Sequence, residues 1–169
     1  MKRNPGWIAA AVVLLLTHGN AFAAPKMSYR AALKGSEEVP AHVTKAHGTA
    51  TFTVSRDGTE IKYKLIVANM TNVTVAHIHV GAPGENGPPV VMLYGPSAAG
   101  GGKKSGLLSS GSIKAADLTG PLAGKTIADL VAEMNTGHAY VNVHTDDGVG
   151  ESNTKAGDFP DGEIRGQIR

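Results

Sequence analysis

The chain has 169 residues, 16 basic and 14 acidic side chains, only 5% aromatic residues and no cysteine. Without cysteine there are no disulfides, no thiolate metal sites and no lipid attachment through an N-terminal Cys, so any bound metal must be held by histidine and carboxylate. No Lys/Arg run and no Trp after Trp7 argue against nucleic acid or an anionic membrane as partner.

Lys2 and Arg3, the apolar run Trp7 to Leu16 and the small-x-small triplet Ala21-Phe22-Ala23 form the pattern of a secretory signal peptide over residues 1–23. Removing these from 169 leaves 146 residues, 24–169, as a single domain, and reduces the 16 basic residues to 14, equal to the 14 acidic ones. No second apolar run is long enough to span a bilayer. The expected product is exported, periplasmic or secreted, with no membrane span in its mature form.

"MSYRAALK" from Met27 extends as a first strand. "TATFTV" and "EIKYKLIV" alternate apolar with polar residues around Asp57-Gly58, a preferred hairpin turn. Val73 to Val80 and "PVVMLY" read as further strands, and the Gly/Ser tract Gly95 to Gly106 as a mobile loop. Ile127, Leu130, Val131 and Met134 have helical spacing, with Thr126 as N-cap, Asp129 three positions on and Gly137 as stop. "AYVNVHT" and "GEIRGQIR" supply the last strands, either side of a long Asp/Gly/Asn loop. The sum is an all-β antiparallel sandwich or barrel with one short inserted α-helix.

Side chains alternate across a strand, so three segments split in the same way. In "AHIHV", Ile78 and Val80 oppose His77 and His79; in "YVNVH", Val141 and Val143 oppose Tyr140, Asn142 and His144. In "GEIRGQI", Ile164 and Ile168 oppose Glu163, Arg165 and Gln167. If the strands are neighbours, His77, His79 and His144 form a three-imidazole set suited to copper or zinc, with Asn142, Glu163 and Arg165 beside it. His138, at the start of its strand, is a peripheral candidate, and Glu85 lies in the Gly/Pro loop "GAPGENGPP", either a lid beside the histidines or a plain turn. The competing reading makes the histidines hydrogen-bonded surface residues and Glu163–Arg165 a structural ion pair.

Other features carry less. His42 and His47 read as solvated loop residues. The carboxylates between Asp146 and Asp161 lack the ligand spacing of an EF-hand. Asn69 and Asn72 match the N-glycosylation pattern. No Ser sits on a hydrolase-type elbow, and a nucleophile–base set is missing.

Together "AHIHVGAPGENGPPVV", "LAGKTIADLVAEMNTG", "AYVNVHT" and "GEIRGQIR" resemble the CHRD domain, from about Ser28 to the C-terminus. The resemblance implies an immunoglobulin-like β-barrel, and more distantly the barrel of copper/zinc superoxide dismutase. It would match His77, His79 and His144 to three copper-binding histidines, and place Glu163 or Arg165 near the dismutase's active-site arginine. The histidine bridging copper and zinc, the zinc ligands and the disulfide have no counterpart. Three classes of function follow as expectations: a non-catalytic binding protein holding copper, or less readily zinc; a metal-free extracellular module binding a protein partner or glycan; and a copper-only dismutase-like enzyme.

Overall fold

The computed structural model describes residues 1, 27–151, 153 and 155–169. Most of the expected signal peptide therefore lies outside the described residues. Among the described residues eight strands run in the order β1 Ser28–Lys34, β2 His47–Val54, β3 Glu60–Thr71, β4 Val73–Val80, β5 Pro89–Tyr94, β6 Lys103–Lys114, β7 Ala139–Thr145 and β8 Ile164–Gln167. Among the described residues there is one α-helix, α1 Ile127–Thr136, which precedes β7. Among the described residues no helix is long and apolar enough to cross a membrane.

The strands form one antiparallel sheet ordered β5-β4-β7-β8-β1-β2-β3-β6, curled until its two edges nearly meet. Side chains bridge those edges: the Leu93 carbonyl on β5 accepts from the Tyr63 hydroxyl of β3 at 2.8 Å and the Ser109 hydroxyl of β6 at 2.5 Å. Alternation decides what faces inward. Ala31, Leu33, Ala50, Phe52, Ile61, Leu65, Ile78, Val141, Val143 and Ile164 are all buried in the barrel core. Each large aliphatic side chain there gains about 1.5–3 kcal/mol by leaving water, which offsets the entropy of ordering the strands.

The helix is built as its sequence signals require. Thr126 Oγ1 accepts from the Asp129 amide while Asp129 Oδ2 accepts from the Thr126 amide at 2.8 Å, and Gly137 ends the helix at φ +72°. Ile127, Leu130 and Met134 form the buried stripe. At the Asp57-Gly58 hairpin, Gly58 takes φ +69° within a connection closed by the Ser55 amide on the Glu60 carbonyl at 2.9 Å.

The Gly/Ser tract is a loop only as far as Gly102. From Lys103 it becomes β6, a twelve-residue strand paired with β3. Only Ile113 of this strand is fully buried, so it lies on an edge with little apolar alternation to reveal it. Asn72 also has a structural job. At φ +55° its amide donates to the Gly157 carbonyl at 3.0 Å and accepts from the Gly102 amide at 3.1 Å, tying three loops at a chain corner.

Candidate metal centre

Strand order places β4, β7 and β8 side by side, with His77 opposite Asn142, His79 opposite Tyr140 and Asn142 opposite Arg165. The same unbroken register brings His144 opposite Val75, and the pairing shifts only beyond it, between Val73 and Val75. The outcome is one cluster: a ring nitrogen from each of His77, His79 and His144 lies within 4.8 Å of the other two. His77 Nδ1 is 3.3 Å from His144 Nε2, and the His77 ring stands edge-on to both His79 and His144.

Two main-chain carbonyls fix which nitrogens are available. His79 Nδ1 is 2.8 Å from the Gly87 carbonyl and His144 Nδ1 is 2.7 Å from the Pro160 carbonyl. A carbonyl only accepts, so each Nδ1 carries the proton and each Nε2 keeps a lone pair directed into the cluster. His79 Nε2 is buried and has no hydrogen-bond partner. An orphaned acceptor there costs about 1–3 kcal/mol, and a cation offers the pairing it lacks.

Burial lowers the pKa of all three imidazoles. His77 is pushed down to about 4, by burial first and then by the neighbouring His144 and His79. His79 and His144 are lowered as well, mainly by burial, against the carbonyl bonds that favour their charged forms. At neutral pH all three rings are uncharged; His77 Nδ1 faces the His144 Nε2 lone pair as a donor, so a metal held through His77 Nδ1 shifts that proton to Nε2 without net release. Three neutral imidazoles on rigid strands, two of them oriented from behind by carbonyls, are a donor set that fits a copper or zinc ion.

Of the other expected residues, Arg165 and Asn142 frame the cluster. Arg165 is 1% exposed, and its guanidinium donates to the Ala82 carbonyl at 3.2 Å, the Glu85 carbonyl at 2.8 Å and Asn86 Oδ1 at 3.1 Å. It also covers the Tyr140 ring, 3.5 Å from its centroid, and Tyr140 stacks on His79. Glu163 faces elsewhere: its carboxylate accepts from Thr44 Oγ1 at 2.6 Å, Thr145 Oγ1 at 2.8 Å and the Gly157 amide at 3.0 Å. The Glu163–Arg165 ion pair of the competing reading does not form, because loop donors and loop carbonyls claim the two side chains separately.

Asn142 is buried within the frame, where its Nδ2 reaches the Asp161 carbonyl at 3.4 Å and its Oδ1 has no partner. Glu85 acts through its main-chain carbonyl; its side chain is exposed in the 81–87 loop. His138 stands apart, exposed, 3.9 Å from Glu133. His42 is not a solvated loop residue but stacks on Phe159 with ring centroids 4.0 Å apart.

Sequence reasoning missed Glu38, 6% exposed. Burial pushes its carboxyl up to about 7, while the Arg165 guanidinium and the Asn142 amide act the other way. Nothing in "GSEEVP" marks one glutamate of the pair as buried. The Gly87 and Pro160 carbonyls were equally hidden, because backbone acceptors carry no residue signature.

Residues 29–168 match the CHRD domain family. The chain belongs to the CHRD domain family. A comparison with curated proteins found no match. The CHRD match begins within β1 and ends just beyond β8, so it takes in the whole barrel and all three histidines.

Proposed function

We propose that this CHRD domain is an exported, non-catalytic binding protein that holds copper, and zinc less tightly, through His77 Nδ1, His79 Nε2 and His144 Nε2. The observation that carries the reading is the convergence of three uncharged ring nitrogens within 4.8 Å, one of them a buried atom with no partner. An all-imidazole set suits both metals, and the general order of divalent affinities favours copper. Export rests on the N-terminal Lys/Arg, apolar and small-x-small pattern alone.

Binding without turnover is supported by the commitment of Arg165. In a dismutase-like enzyme a free arginine would receive an anionic substrate beside the metal, whereas this guanidinium is 1% exposed and spends its donors on the 82–86 loop. The test is metal retention. After loading with copper or zinc and desalting, the wild-type protein should keep about one equivalent of copper by mass spectrometry, and His79→Ala and His144→Ala should lose it. Stoichiometric retention in both variants, or none in the wild type, would overturn the reading. Superoxide consumption by the copper-loaded protein that both substitutions abolish would replace it with the enzymatic one.

A further inference from the structure

A second surface lies on the outer face of β8, β1, β2 and β3, built by register from residues dispersed in the sequence. Arg30 and Arg169 exchange both main-chain hydrogen bonds, at 2.8 and 2.9 Å, so their exposed side chains stand on directly opposed positions. Arg30 then pairs with Thr51 and Thr51 with Lys64, making one row across the sheet; the next row runs Ser28, Thr53, Lys62. Lys34 extends the patch along β1, and a groove of about 560 Å³ runs between Arg30, Lys34 and Arg169, with Glu37 as its one acidic lining residue.

Like charges on opposed strand positions destabilise a sheet. Five cations are nonetheless gathered here, and among the described residues none of them lies within ion-pair distance of a carboxylate. The acidic residues of the chain fall mainly in its loops and helix, so balanced total charge hides a face on which cations outnumber acids, with Glu37 in the groove and Glu60 beyond Lys62 as its carboxylates.

We propose that this face binds a linear acidic polysaccharide of the polyuronate class. Lys62 and Lys64 are spaced about 7 Å along their strand, and the β1 and β3 cations are about 9–10 Å apart across it, so the charges form an extended array instead of a single anion pocket. The exposed hydroxyls of Thr51 and Thr53 between them supply donors and acceptors for sugar hydroxyls. No aromatic side chain is exposed on these strand positions for bases to stack on, which sets the surface apart from single-stranded nucleic acid sites; the apolar side chains exposed at its edge are Ile66 and its β6 partner Leu107, a single pair against five cations.

The test is affinity electrophoresis of the whole protein through gels containing polygalacturonate or neutral dextran. Polygalacturonate should retard the protein, dextran should not, and 0.5 M salt should remove the effect. The paired changes Lys62→Gln with Lys64→Gln, and Arg30→Gln with Arg169→Gln, should each weaken retardation at least tenfold, with circular dichroism and copper retention unchanged. Lys125→Gln, outside the face, should not weaken it. No retardation, equal retardation by dextran, or an equal effect of Lys125→Gln would overturn the proposal. So would tighter binding to duplex DNA or to phosphatidylglycerol vesicles than to polygalacturonate. The three-histidine reading is untouched by any of these results.

Discussion

The Arg165 guanidinium lies 3.5 Å from the centre of the Tyr140 ring, whose other neighbour is the imidazole of His79, stacked at 4.9 Å and 15°. One cation thus backs a metal-ligand candidate through an intervening aromatic ring. The same arginine holds the Ala82 and Glu85 carbonyls, and so the loop whose Gly87 carbonyl fixes the His79 tautomer. Strand, loop and ring orientation form one mechanical unit.

Arg165 is therefore a positioning residue. Arg165→Met keeps much of its volume but removes the donors to the Glu85 carbonyl and Asn86 Oδ1, while the Ala82 carbonyl keeps only the Glu85 amide, at a cost of about 1–3 kcal/mol. Urea unfolding of the metal-free protein should show that loss. Copper should also leave the variant at least tenfold faster than the wild type in a chelator chase, with Arg165→Lys intermediate. An unchanged release rate would show that the loop does not set the site.

The carbonyl partners specify a ring state that can be observed directly. Long-range proton–nitrogen spectra of the metal-free protein at pH 7 should show His79 and His144 as neutral rings protonated at Nδ1. His77 should titrate near pH 4. Protonation of His79 at Nε2 would mean that its lone pair points away from the cluster.

Glu38 and His77 oppose each other in the acid range. With its folded pKa raised from 4.5 to about 7, Glu38 holds a proton that the unfolded chain has released, so its contribution to stability is full below pH 4.5 and is lost as pH rises towards 7. His77, lowered from 6.5 to about 4, has the opposite sign: its contribution is full above pH 6.5 and is lost as pH falls towards 4. Between pH 4.5 and 6.5 the two slopes offset. Glu38→Gln removes one of them, so urea midpoints of the metal-free variant should fall more steeply on acidification than those of the wild type. The variant should gain relative to wild type at pH 7.5 compared with pH 4.5. Parallel curves would show that Glu38 does not titrate in this interval.

These relationships differ in how far the sequence reveals them. Period-two alternation in "AHIHV", "YVNVH" and "GEIRGQI" was enough to place His77, His79 and His144 on matching faces, because a one-residue slip would put histidine in the core. It could not show what covers those faces. Arg165 and Glu163 sit on the side away from the barrel core, yet both are 1% exposed because loops fold over them. Strand β6 escaped notice for the converse reason, since an exposed edge strand is held by backbone pairing that any sequence can supply. The Arg30–Thr51–Lys64 row exists only through register between strands, which no local window of sequence contains.

Glu163 offers the last test, because it holds the loop on the other side of the cluster. Its carboxylate collects donors from Thr44, Thr145 and the Gly157 amide, joining β7 to the loop before β2 and to the segment that leads to Pro160. Pro160 in turn supplies the carbonyl at His144 Nδ1. Glu163→Gln keeps the shape but turns one acceptor oxygen into an NH₂ group facing donors, a mismatch worth about 1–3 kcal/mol. The expected result is a lower urea midpoint together with faster amide exchange across residues 155–160. If exchange there stays at the wild-type rate while stability falls, Glu163 supports the barrel but not the His144 orientation. If neither changes, the carboxylate contacts contribute nothing measurable to either.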